Sequence, residues 1–133
     1  MQTIELAFQA ALMRGWPARR EANGEARIEV PTEAGRTQLV VVSAARDGDG
    51  DPVAFIWSNA GDMRVAADPL AMLRYNTQLT YGRVAIRDQS VIILHALHDA
   101  SASIAEVGKT LYWVARAADG LEKNTYGAYS DTL

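Results

Sequence analysis

Between Asn23 and Ser58 the chain reads NGEARIEVPTEAGRTQLVVVSAARDGDGDPVAFIWS, and this stretch decides the fold. Three breaks punctuate it. Asn23-Gly24 is the strongest two-residue hairpin signal, because both central positions of such a turn favour positive φ. It is expected to join a strand over Pro17–Ala22 to one over Ala26–Pro31, in which Ile28 and Val30 alternate with Arg27 and Glu29. Glu33-Ala34-Gly35 makes the next turn, before a strand over Thr37–Ala45. Asp47-Gly48-Asp49-Gly50-Asp51-Pro52 is the last break. Beyond it Val53, Phe55 and Trp57 share one face of a strand, and Ala54, Ile56 and Ser58 the other. Four strands joined by short turns make an antiparallel meander.

Outward from this meander the periodicity changes. Upstream, Ile4, Ala7, Phe8, Ala11 and Leu12 recur at the spacing of a helix that buries one face, and Gly15 with Pro17 marks its end. Downstream, Asp68 as N-cap with Pro69 at the first helical position starts a second helix, expected to run to about Thr80 and to stop before Gly82. Arg83–Arg87 and Val91–Leu97 form a second hairpin around Asp88-Gln89-Ser90. Ser103 with Glu106 then reads as a capping box. It opens a helix whose apolar stripe is Ile104, Val107, Leu111, Val114, Ala118 and Leu121, and the tail from Asn124 to Leu133 is expected to fray. The order α-ββββ-α-ββ-α implies an α+β fold, a single antiparallel sheet with helices one and three on one face.

The chain has 133 residues, of which 49% are hydrophobic and 22% charged, so one domain over residues 1–133 with a self-sufficient core is expected. There is no Cys, which excludes disulfides, Cys-ligated metals and thiol catalysis. Thirteen basic residues against sixteen acidic ones leave a net charge of −3, the wrong sign for a nucleic-acid binder. The longest apolar runs are Leu39–Val42 and Val91–Leu94, far short of a membrane span. Met1–Gly15 shows no basic leader before an apolar block. No membrane association and a cytoplasmic location are therefore expected.

The residues Leu73-Arg74-Tyr75-Asn76-Thr77-Gln78-Leu79, the Gly82–Ile86 strand after them, the Val91–Leu94 strand and the run from Val114 to Glu122 carry a resemblance. Together with the opening helix that runs into Gly15-Trp16, they resemble the YbjN family, whose fold is shared with class I type III secretion chaperones. The resemblance implies a bacterial, non-enzymatic, often dimeric protein engaged with a protein client or regulatory partner. It supplies no catalytic residues.

Side chains that could carry chemistry are few. Asp47, Asp49 and Asp51 alternate as in a calcium loop, but the sixth position holds Pro52 and the twelfth Ser58, so a solvated hairpin loop is expected. His95 and His98, with Asp99 beside them, could ligate zinc only if the strand ended between them, since residues three apart on a strand face opposite ways. No bound metal is expected at either place. No Ser lies in a Gly-x-Ser-x-Gly elbow, and Gly48-Asp49-Gly50 lacks the third glycine of a dinucleotide loop. Arg19-Arg20 with Trp16 and Trp57 are interleaved with Glu21, Glu25 and Glu29, which describes a mixed solvated face.

The expectation for function is a protein-binding or regulatory module, not an enzyme, with no cofactor. The alternative is a small-molecule binding domain or enzyme with a pocket between sheet and helix, near His95. Leu39–Val42 and Val91–Leu94 are apolar on both faces, although two helices can cover only one side of a sheet. The uncovered side is therefore expected to form the contact of a homodimer, built from Phe55 and Trp57 on the sheet with Leu70, Leu73 and Tyr75 on the middle helix.

Overall fold

The computed structural model describes residues 1–62 and 68–131, with side chains as far as Asn124. Helix α1 (Gln2–Arg14) leads into strands β1 (Ala18–Arg20), β2 (Ala26–Glu33), β3 (Arg36–Arg46) and β4 (Pro52–Asp62). A short helix α2 (Pro69–Tyr75) and a 3-10 turn over Asn76–Gln78 precede strands β5 (Arg83–Arg87) and β6 (Ser90–His98). Helix α3 (Ile104–Asp131) follows. The fold is α+β, in the expected order.

All strand pairings are antiparallel, and the sheet order is β1-β2-β3-β4-β6-β5. The second hairpin thus attaches through β6, and β5 becomes an outer edge. Paired residues share a face, so the register assigns every strand side chain to one of two sides. On one side Ala26, Ile28, Val30, Val40, Val42, Ala54, Ile56, Val91 and Ile93 are buried with Ile4, Ala7 and Ala11 of α1. Val107, Leu111, Val114, Ala118 and Leu121 of α3 complete this core. Helices one and three therefore lie on one face, as their apolar stripes predict. Burying each of Ile28, Ile56 and Ile93 fully is worth about 1.5–3 kcal/mol against leaving it in water.

The local signals act as their chemistry requires. Gly15, at φ 71°, ends α1 while Trp16 N–H reaches Ala11 O and Gly15 N–H reaches Leu12 O, the paired bonds of a left-handed cap. Asp68 accepts from Leu70 N–H at 3.0 Å, and Ser103 Oγ accepts from Glu106 N–H at 3.2 Å. Three expectations need correction. Leu12 is 83% exposed, and α1 buries the stripe Thr3, Ile4, Ala7, Ala10 and Ala11, whose small residues permit close approach to α3. Helix α2 ends at Tyr75, five residues before the expected stop. Asn76 and Thr77 turn their side chains to other backbone groups, Val84 N–H at 2.5 Å and Arg74 O at 2.7 Å. The tail expected to fray from Asn124 is helical as far as Asp131, and residues 132–133 lie outside the described ones.

No described helix is long and apolar enough to cross a membrane.

Candidate functional site

The second side of the sheet is covered by none of the described helices, whose buried apolar side chains all belong to the opposite core. Its composition follows from register. One row runs Arg27, Val41, Trp57, Leu94, Arg83 across β2, β3, β4, β6 and β5. Beside it lie Glu29, Leu39, Asn59, Ile92 and Ala85 on one flank, and Ser43, Phe55 and Ala96 on the other. A bulge at Asn59–Gly61 inserts Ala60 into the core while keeping Asn59 opposite Ile92.

Val41, Ile92 and Val53 are buried on this open face even without a helix above them. Their neighbours shield them. The Arg87 guanidinium lies over the Trp57 ring, 4.5 Å from its centroid, a cation–π contact. The Trp57 indole Nε1–H is closed to solvent and meets no acceptor among the described residues. Phe55, Trp57 and Leu94 remain half-buried, and Leu39 is 41% exposed. The face is an apolar strip bounded by Arg27, Glu29, Arg83 and Arg87.

Of the residues expected to form one partner surface, Phe55 and Trp57 lie on this face and the α2 residues do not. Met72 anchors α2 in the opposite core, and Tyr75 packs against that same core. Leu70 and Leu73 are each 59% exposed on α2. The expected patch is thus two surfaces. The reason is topological: β5 and β6 fold back beside β4, and the α2–β5 connection carries α2 to the helix layer. That strand order has no local sequence signature.

The Asp47–Asp51 tract is a hairpin turn in which Asp47 N–H bonds Asp51 O, with Gly50 at φ 84°. Asp47 Oδ1 accepts from the amides of Asp49 and Asp51 at 2.9 and 3.0 Å, and its Oδ2 lies 3.1 Å from His98 Nε2. The Asp51 amide and His98 hold the Asp47 carboxyl below the usual carboxylate range. The three carboxylates can approach within 4.8 Å of one another, but one of them already serves as the acceptor that shapes the turn. His95 and His98 point to opposite faces, as their spacing requires: His95 pairs with buried Ile56 and His98 with Val53. His95 Nδ1 accepts from Gly82 N–H at 2.9 Å, and its ring tilts against Tyr81. The two histidines share no site.

A cleft of about 560 Å³ opens between α3 and the segment from Tyr75 to Tyr81. Trp113 and Lys109 form one wall with Gly120; Tyr75, Leu79 and Tyr81 form the other. His95 stands behind Tyr81 and does not line it. Lys109, Trp113, Arg116 and Gly120 are spaced by four, three and four along α3, so they form its outward stripe. That spacing was legible in the sequence, but the apolar stripe on the other side of α3 carries the stronger signal. Two further carboxylates act structurally. Asp99 accepts from Thr3 N–H at 2.7 Å and caps α1 from across the chain, and Asp119 accepts from Arg36 and Thr32.

The chain matches no family model, and no curated protein matches it.

Proposed function

We propose that this chain is a non-enzymatic protein-binding or regulatory module of the chaperone-like kind. It works in the cytoplasm, and it engages a protein client or partner through the open face of its sheet. The observation that carries this reading is the apolar strip of Leu39, Phe55, Trp57 and Leu94, left without a helix above it. A two-layer domain ordinarily hides one face of its sheet and makes the other polar by alternation. Here β3 and β6 are apolar on both sides, and a contiguous apolar surface of this kind marks an interaction site. The resemblance to chaperone-like proteins supports the same class of partner, and a homodimer formed through this face belongs to the reading.

Site-specific photo-crosslinking tests it. A benzophenone side chain at Leu39 on the open face is expected to capture a protein partner in cells, and Phe55→Glu is expected to abolish that capture. The control position is Leu12, exposed on α1 at the far side of the molecule. Capture of the same partner from Leu12 and none from Leu39 would move the interface off the sheet and end this reading. The cleft beside α3 favours a second reading, in which the chain also takes a small molecule.

A further inference from the structure

We propose that the cleft between α3 and the Tyr75–Tyr81 segment binds a small organic anion with a flat apolar body, such as an aromatic carboxylate. This inference deepens the small-molecule reading and does not depend on the open face of the sheet. The volume of about 560 Å³ falls within the range of small-molecule sites. Three aromatic side chains, Tyr75, Tyr81 and Trp113, supply the apolar body of the site. Trp113 is 45% exposed on a helix whose Val107, Leu111, Val114 and Leu121 are buried, so it faces the cleft and not the core.

Charge selects the class of ligand. Among the described residues no Asp or Glu lines the cleft, although acidic residues outnumber basic ones in the chain. Lys109 and Arg116 line it, about 10 Å apart along the helix axis. Neither forms an ion pair among the described residues. Lys109 has only the face of the Tyr81 ring, 5.9 Å from its centroid. Arg116 is held in place by the Thr32 carbonyl at 2.8 Å and by Tyr112, neither of them charged. An anion in the cleft would therefore gain charge-assisted hydrogen bonds without displacing an existing partner. Burial raises the Tyr75 pKa, so its hydroxyl stays neutral and able to donate. Gly120 forms part of the wall: a Cβ there would already stand 3.5 Å from the Tyr75 hydroxyl.

The probes are 2-naphthoate and its uncharged analogue 2-naphthalenemethanol, followed on the full chain by the NMR signals of the Trp113 indole N–H and the Gly120 amide. Saturable movement of both signals with naphthoate is expected, with the alcohol about tenfold weaker or worse. Lys109→Met should weaken naphthoate by about tenfold and leave the alcohol unchanged. Gly120→Leu should weaken both ligands while the helix, freed of a glycine, folds at least as well. Equal affinity for the two probes, with Lys109→Met silent, would overturn the anion class and leave an apolar cleft. No movement at either signal would remove the small-molecule reading with it. Movement at Trp57 in their place would put the ligand on the sheet, and movement with protein concentration alone would give the cleft to a second copy. Each of these two results also overturns the proposal.

Discussion

Asp119 is a carboxylate that burial alone would drive toward the neutral acid. Its environment reverses that tendency. Burial is the largest influence and acts upward, but donation from Arg36 at 2.6 and 3.0 Å and from Thr32 at 3.2 Å outweighs it and leaves the pKa below the ordinary value. The bonds tie the turn between β2 and β3 to α3. A depressed folded pKa contributes stability that is present above the unfolded value, near 3.9, and lost as pH falls through the folded one. Asp119→Ala is therefore expected to cost about 1–2 kcal/mol at neutral pH. It should also flatten the melting temperature against pH below about pH 4; an unchanged acid limb would refute the assignment. His95 acts in a higher window. Burial lowers its pKa, so the neutral ring that accepts from Gly82 N–H is the folded form. Its contribution is complete above about pH 6.5 and fades as pH falls through the lower folded value. An NMR titration should place His95 below the ordinary histidine value, and a midpoint at or above it would contradict the contact. Neither role is legible in the sequence, since Asp119 meets residues more than eighty positions away.

Among the elements, the signals that read well are those whose partners are close in sequence. The caps at Gly15, Asp68 and Ser103 each involve residues within a few positions, and each stands where its chemistry requires. The signal at Asn23-Gly24 is right in place and wrong in type. Only Gly24 takes positive φ, Asn23 accepts from Glu25 N–H through its side chain, and Glu21 N–H bonds Glu25 O. The result is a three-residue turn with a bulge, and Asp47–Asp51 repeats it with Gly50 in the glycine position. The early end of α2 was hidden for a different reason. Asn76 is an ordinary helix residue until Val84 presents an unpaired edge N–H for it to cap. This leaves Gly82 as the pivot between the 3-10 turn and β5, at φ 88°, where an added Cβ would stand only 2.6 Å from Ile93 Cγ2. Ile93 is fully buried and cannot yield. Gly82→Ala combines backbone strain with overpacking and should destabilise the fold by about 2–4 kcal/mol. Gly48→Ala, with no positive φ and open space around it, is the control expected to change stability by less than about 0.5 kcal/mol. Equal effects from the two would show that the pivot is not constrained.

For the molecule as a whole, Leu39–Val42 and Val91–Leu94 announced two-sided burial that the described helices supply on one side only. Val41 and Ile92 are buried beside cross-strand neighbours such as Trp57, Asn59 and Ala85, a thin cover next to the helix layer opposite. The sequence could not say which element would cover the second side. The answer depends on β6 inserting between β4 and β5, and that placement takes α2 to the helix layer. A second copy laid face to face across a two-fold axis would bring Phe55 and Trp57 of each protomer over the other's β3 and β6. Sheets packed in this way stand about 10 Å apart, close enough for their side chains to interdigitate. Such a contact should bury at least ~1,000 Å² in total if it is a stable dimer. Light scattering at micromolar concentration is expected to give a dimer for the wild type and a monomer for Phe55→Glu, with circular dichroism confirming that the variant is folded. Leu73→Asp, on the separate α2 surface, should remain dimeric. A wild-type monomer would remove the homodimer and leave the open face to a different protein. Dissociation by Leu73→Asp with Phe55→Glu still paired would shift self-association to the helix layer, where the α2 leucines stand exposed.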